Sequence, residues 1–282
     1  SLEKAMKAIR SDAEDFAEAG LLKDGDTLDA VLACITGYAD YASGVADVDF
    51  VIESVAENLD VKKSVWAEVE HAAPKDAILS TNTSGLSPTA LQSVLKKPER
   101  FVVAHFWNPA QLMPLVEVVP GEKTDPKVVD ITFDLMAKIG KKPAKIKKES
   151  LGFVGNRLQL AELREAFYIV QQGIADAATV DDVMKYSLGR RWNLVGPLAS
   201  IDLGGLDVFY NISTYLFDDM DNGTGPSPLL AEKVREGNLG AKTGQGFFSW
   251  QGEDGKRIIE SRNKALLRAL KNDAADAAAA QA

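Results

Sequence analysis

Short runs rich in β-branched and apolar residues alternate with helical stretches over the first half of the chain, and then they stop. The runs are Asp49 to Glu53, Ala77 to Thr81, Phe101 to His105, Leu115 to Val119 and Ala144 to Ile146. Strands separated by helix-length segments imply crossover connections, which argues for a parallel sheet with helices packed on it. Within that pattern Val61, Val65 and Val69 share one helix face, charged residues fill the other, and the helix ends before Pro74. After Gly152 the period changes. Leu160, Leu163, Phe167 and Val170 recur at three and four residues, and Asp202 to Met220 reads as a further helix despite its early Gly-Gly. The chain therefore divides near Lys147 to Leu151, into an α/β domain over residues 1–149 and an all-α domain over 150–282. The closing NDAADAAAAQA is alanine-rich and reads as a helical tail that frays.

Composition narrows the class. A chain of 282 residues with 46% hydrophobic content can bury the cores of two domains. No apolar run reaches the roughly 18 residues of a membrane span, and the opening SLEKAMKAIR has no signal-peptide core. One cysteine, Cys34, leaves no internal disulfide, which suits a reducing cytoplasm. With 32 basic against 41 acidic side chains the net charge is -9, so there is no electrostatic footprint for nucleic acid, and an anionic ligand needs a local basic site.

The segment FVVAHFWNPAQLMPLVEVVPG, Phe101 to Gly121, carries the most chemistry. Histidine is the usual proton abstractor near neutral pH, and of the two in the chain His105 stands at the end of an apolar strand. Glu117 lies among Leu115, Val116, Val118 and Val119, where an unpaired carboxylate is costly to bury and a hydrogen bond to imidazole offsets the cost. The bland alternative is a strand-end histidine and a surface glutamate on an alternating strand. His71, in WAEVEHAAP, is expected away from the site.

HFWNP followed by LVEVV closely resembles the signature of the 3-hydroxyacyl-CoA dehydrogenase family, and DFVIESVAENLDVKK, ILSTNTSGL, GFVGNR, GPLASIDLGGLD and KTGQGFF resemble its other blocks in order. The resemblance runs from about Ser1 to Trp250 and is nearest the 3-hydroxybutyryl-CoA dehydrogenase and lambda-crystallin-like branch, which also holds dehydrogenases of small carboxylated alcohols. It implies NAD as cofactor, a histidine that removes the hydroxyl proton while hydride leaves the same carbon, a Rossmann-type domain followed by an all-helical substrate and dimerisation domain, and a homodimer. No metal, nucleic acid or membrane partner is implied.

A Rossmann domain normally opens with a strand, a G-x-G-x-x-G turn and a helix, and this sequence has no such motif. Gly244 and Gly246 in KTGQGFF lack a third glycine and a preceding strand, so they read as a turn. In the family a helix resembling SLEKAMKAIR follows the second strand. The expectation is therefore a domain truncated at its N-terminus, without its first two strands, in which the fourth strand of the family's sheet has an open edge and NAD binds poorly.

The resemblance implies further contacts residue by residue. Glu57 and Lys62 stand where relatives meet the nicotinamide side of NAD, with a solvated helix start as the alternative. Asn82 and Ser84 follow the strand ILST at the end of a parallel sheet where ligands gather, and Ser84 matches a serine that holds the substrate oxygen. Asn108 is expected near the nicotinamide, or as a turn residue before Pro109. Asn156 in GFVGNR matches an asparagine that contacts the substrate, or is a helix-start residue. Lys242 resembles a lysine that approaches the cofactor, although a lysine beside glycines is usually exposed.

One departure bears on substrate. Leu188, Gly189, Arg190, Arg191, Trp192 and Asn193 replace the usual residues before GP. An arginine fork matches a free carboxylate, whereas a thioester offers no such charge. Pairing with acidic residues at a subunit interface, or with CoA phosphates, remains open. Lys147, Lys148 and Glu149 include one residue more than the usual spacing before GFV. The sequence thus points to NAD-dependent oxidation of a 3-hydroxyacyl-CoA or similar 3-hydroxy acid. A dehydrogenase of a small free carboxylated alcohol and a non-catalytic crystallin-like protein are the alternatives.

Overall fold

The computed structural model describes residues 2–23 and 25–279. Three helices come first, α1 (Leu2–Glu18), α2 (Leu28–Ala33) and α3 (Tyr41–Val45). Then follow β1 (Phe50–Glu53), α4 (Leu59–Ala72), β2 (Ile78–Thr81), α5 (Pro88–Gln92), β3 (Phe101–Phe106), β4 (Leu115–Pro120), α6 (Pro126–Lys138) and β5 (Lys142–Lys145). The rest is helical: α7 (Gly155–Gln171), α8 (Ala177–Tyr186), α9 (Leu188–Val195), α10 (Pro197–Gly204), α11 (Leu206–Leu216), α12 (Pro228–Arg235) and α13 (Gly252–Ala279). Two compact units result, one holding the residues up to Arg157 and those from Glu260 on, the other spanning Leu158–Ile259.

The five strands lie in the order β1-β2-β3-β4-β5, with β1 at one edge. All neighbours are parallel except β3 and β4, which run antiparallel. The expectation of a parallel sheet is corrected there, and the reason is connection length. The link between Phe106 and Leu115 is too short to carry a crossover helix, so the chain can only turn back on itself. That reversal sets His105 directly opposite Glu117 in the ladder.

Both faces of the central strands are covered. Phe101 meets Trp66 of α4 edge to face at 5.1 Å, in a cluster with Val69, Leu79 and Leu91. On the other face Val102 and Val118 pack against Val128 of α6, and Ala104 and Val116 against Met136. Val103 and Val119 share a third cluster with Phe153, so the segment entering α7 closes the face that carries His105 and Glu117.

Two local expectations change. In α4 the buried residues are Lys62, Trp66 and Val69, while Val61 is exposed. The helix is rotated from the all-valine face because Glu53 at the end of β1 supplies a partner for the Lys62 ammonium inside the protein. The helix read over Asp202 to Met220 is two helices, broken at Gly205, whose φ of 91° lies where glycine is favoured. KTGQGFF forms a tight turn bridged between Gly240 and Gln245 and between Gln245 and Ser249. α13 carries the alanine-rich stretch as helix to Ala279, and the last three residues of the expected fraying tail lie outside the described residues. No described helix is long and apolar enough to cross a membrane.

Candidate active site

In an antiparallel ladder, directly opposed side chains leave the same face of the sheet within about 5.5 Å of each other. His105 and Glu117 are such a pair, and His105 Nδ1 lies 2.9 Å from Glu117 Oε2. Both are buried, His105 at 4% and Glu117 at 2% exposure. The second carboxylate oxygen accepts the backbone N–H groups of Val154 and Gly155, each at 3.0 Å, at the start of α7. Burial by itself raises the carboxyl pKa, but the hydrogen bonds from His105, Gly155 and Val154 outweigh it and hold Glu117 below its ordinary value. An ionised carboxylate only accepts, so Nδ1 carries the proton and Nε2 is left as a base. Trp107 and Phe153 flank the imidazole at 5.6 and 5.7 Å between ring centroids. Chemically this is an oriented imidazole with a buried anion behind it, whose Nε2 is free to exchange one proton.

Around it, the ends of β1, β2 and β3 are tied together. Asn82 Oδ1 accepts the Phe106 N–H at 2.8 Å, fixing the strand end that carries the histidine, and its Nδ2 lies 3.4 Å from Ser54 Oγ. Ser84 is exposed in the turn after β2, and its carbonyl accepts Asn156 Nδ2 at 2.6 Å. These contacts bring Ser84, Asn156, Glu117 and His105 into one neighbourhood. Asn108 is exposed in the link after His105. Glu57 Oε1 accepts Thr83 Oγ1 at 2.6 Å and the Ser84 N–H at 2.8 Å. Lys62 is enclosed at 1% exposure, with Nζ 2.7 Å from Glu53 Oε1 and 3.4 Å from Glu57 Oε2, and so does not stand open toward a ligand. Arg190 and Arg191 are exposed on α9 and Lys242 is exposed in the KTGQGFF turn, all in the helical unit. His71 is exposed in the last turn of α4.

The exposed neutral groups that follow β2 and β3, namely the Ser84 hydroxyl and the Asn108 amide, with the half-buried Asn82 beside them, suit a nicotinamide carboxamide and a substrate oxygen. Several supports escaped sequence reasoning. Glu149 receives Ser87 Oγ at 3.3 Å and the Thr89 N–H at 3.1 Å, pinning the segment before α7 to the turn after β2. Lys141 Nζ donates to the carbonyls of Ala110 at 2.6 Å and Met113 at 3.0 Å, holding the link that carries Trp107 and Asn108, and burial lowers its pKa. Glu53 carried a readable signal. Like Glu117 it is a lone carboxylate in an apolar strand, and the same cost of burial demands a partner.

Comparison with known proteins agrees along the chain. Residues 1–150 match the NAD binding domain of 3-hydroxyacyl-CoA dehydrogenase and residues 152–250 match its C-terminal domain. The 5-formyl-3-hydroxy-2-methylpyridine 4-carboxylate 5-dehydrogenase of Mesorhizobium japonicum is 35% identical over 228 residues, 81% of this chain and 74% of the relative. An L-carnitine dehydrogenase of the same bacterium is 41% identical over 194 residues, 68% of this chain but only 51% of the relative, so the match spans about half of that protein. Among solved structures, the (S)-3-hydroxybutyryl-CoA dehydrogenase of Ralstonia eutropha superposes with a TM-score of 0.71 at 32% identity, covering 89% of this chain and 87% of that one.

Proposed function

The chain belongs to the 3-hydroxyacyl-CoA dehydrogenase family, and from that premise we propose that it oxidises the secondary alcohol of a 3-hydroxyacyl-CoA to the 3-oxo product, with His105 as the base. The observation that carries this reading is the buried His105–Glu117 pair, anchored at 2.9 Å on one side and on two backbone N–H groups on the other. His105 Nε2 takes the proton from the substrate hydroxyl. Glu117 keeps the proton on Nδ1 and stabilises the imidazolium that forms. In the reverse direction the protonated imidazole returns that proton to the oxygen. The Ser84 hydroxyl donates to the reacting oxygen, and Asn156, one Nδ2 hydrogen of which goes to the Ser84 carbonyl, donates the other to the same oxygen. NAD, when bound, accepts the hydride from the carbon that bears the hydroxyl. Asn82, Asn108 and Glu57 would hold its nicotinamide end, with Lys62 beside Glu57, and Lys242 is assigned to the cofactor from the family resemblance alone.

A free carboxylated alcohol is the second reading. The specific support is the adjacent Arg190 and Arg191, exposed and without an ion pair among the described residues, and similarity to relatives named for a pyridine carboxylate and for carnitine. The assembly we propose is a homodimer in the cytoplasm, active in fatty acid metabolism. Among the described residues none of the fully buried apolar side chains lies in 158–259, while Leu160, Leu198, Leu203, Tyr210 and Phe217 there are more than 60% exposed. A helical unit with so open an apolar surface gains by covering it with a second copy. NADH formation with 3-hydroxybutyryl-CoA, compared with L-carnitine and 3-hydroxybutyrate, tests the assignment. Turnover of the thioester supports it, and turnover of the free acids alone replaces it with the second reading.

A further inference from the structure

Among the described residues, Phe153 is the one residue other than glycine at positive φ, 51°, and its side chain is fully buried. That backbone region is costly for a bulky side chain, so it persists only where the surroundings hold it, and such places gather at functional sites. Here the hold is visible. The Ser150 carbonyl accepts the Phe153 N–H at 3.0 Å, and the Ser150 hydroxyl donates to the Phe153 carbonyl at 3.3 Å. The preceding Gly152, at φ 73°, lies so close to Gly85 that a Cβ on Gly85 would stand 3.1 Å from the Gly152 nitrogen.

What the bend sets is the direction of the next two peptides. The N–H groups of Val154 and Gly155 converge on Glu117 Oε1, each at 3.0 Å, as a backbone nest does on an anion. An ordinary negative φ at 153 would re-aim them. Glycine would reach the same backbone without strain, yet the chain carries a phenylalanine. Its ring packs with Val103 and Val119 and lies 5.7 Å from the His105 imidazole, with the planes at 60°. Trp107 lies 5.6 Å from the same imidazole. Two aromatic rings thus flank the base, and a hydrogen bond screened from water in this way is stronger and better fixed than an exposed one.

We propose that Phe153 is a positioning residue for the His105–Glu117 pair: its strained backbone aims two N–H groups at the carboxylate, and its ring keeps water from the imidazole Nδ1. The proposal deepens the dehydrogenase reading and rests on it only for the catalytic consequence. Without the ring, water reaches Nδ1 and competes for Glu117. Without the bend, the carboxylate loses its backbone donors and the imidazole loses its fixed orientation. Misplacement of a base lowers the chemical step more than it weakens substrate binding.

The test uses the full chain with Phe153→Ala and, because emptying a core position can prevent folding, Phe153→Leu, which keeps most of the volume but not the flat ring. The chain has two histidines and His71 is exposed, so a slowly exchanging ring N–H in protein with isotope-labelled histidine reports His105 Nδ1. Its exchange with water, followed by NMR without ligand, should quicken at least about tenfold in a folded variant. With 3-hydroxybutyryl-CoA, kcat should fall about tenfold or more while KM stays within about threefold. Wild-type exchange in a folded variant overturns the proposal and leaves Phe153 as core filling. So does an intact kcat, and a raised KM beside it would make the ring a substrate contact. If the wild-type chain turns over no 3-hydroxyacyl-CoA, the dehydrogenase reading fails by itself, and the exchange measurement still decides the role of Phe153.

Discussion

Glu117 stands directly across the antiparallel ladder from His105, with its carboxylate 2.9 Å from Nδ1 and its other oxygen on the first N–H groups of α7. The same side chain therefore orients the base and fastens the entry of the helix to the sheet. Three donors converge on it, and this is why the carboxylate stays charged although burial opposes it.

Glu117→Gln separates orientation from bulk. An amide that keeps its oxygen on Val154 and Gly155 turns an NH₂ toward Nδ1, which forces the proton onto Nε2 and removes the base. Turnover should fall on the order of 10²- to 10⁴-fold, the range expected when a buried carboxylate that fixes a histidine tautomer is neutralised. Steady-state kinetics with 3-hydroxybutyryl-CoA check this, and activity within tenfold of wild type contradicts it.

The lowered pKa of Glu117 also predicts a pH dependence of stability. A carboxyl whose folded pKa lies below its ordinary value of 4.5 contributes stability that is fully present above that value and is lost as pH falls through the lowered one. Urea unfolding should show wild type more stable than Glu117→Gln by about 1–3 kcal/mol at neutral pH, with the gap closing below the ordinary carboxylate range. A gap independent of pH means the group is not ionised in the folded protein.

Much of this arrangement is legible in the sequence, for identifiable reasons. Four strands announce themselves as short apolar, β-branched runs, whereas β5 is Lys142–Lys145, KPAK, two residues ahead of the run read at Ala144 to Ile146; His105 and Glu117 stand out because each is a lone polar group in an apolar strand. Direction was harder. The antiparallel turn between β3 and β4 is written only in the length of their connection. The burial of Lys62 is not legible because periodicity treats lysine as solvent-facing, while its partner Glu53 lies on a separate strand. The Gly204–Gly205 break was passed over because apolar spacing continues across it, although the backbone at Gly205 turns to positive φ. Glu149 and Lys141 hold the site through contacts distant in sequence, which no local pattern encodes.

Lys141→Met should loosen the link that carries Trp107 and Asn108. It deprives the carbonyls of Ala110 and Met113 of their donor, and a loss of about 1–2 kcal/mol in urea unfolding is expected. Because burial already lowers the lysine pKa, the wild-type protein should gain stability relative to this variant as pH rises through the lowered value toward 10.5. No change in stability at any pH would remove Lys141 from the account.

The arginines of α9 offer a test of substrate charge. If Arg190 or Arg191 receives a free carboxylate, replacing it by Gln should cost about tenfold or more in kcat/KM for free hydroxy acids and less for acyl-CoA substrates. Equal losses assign the pair to CoA phosphates or packing, and no loss returns both to the surface.

The central claim is that His105 is the base, and its most direct test is the initial rate of NADH formation by wild type and His105→Gln with 3-hydroxybutyryl-CoA, alongside NADH binding measured by fluorescence titration. The rate should fall by about 10³-fold while the Kd of NADH stays within about threefold, because the imidazole moves the proton and does not hold the nucleotide. A His105→Gln protein that reduces NAD at the wild-type rate would contradict it.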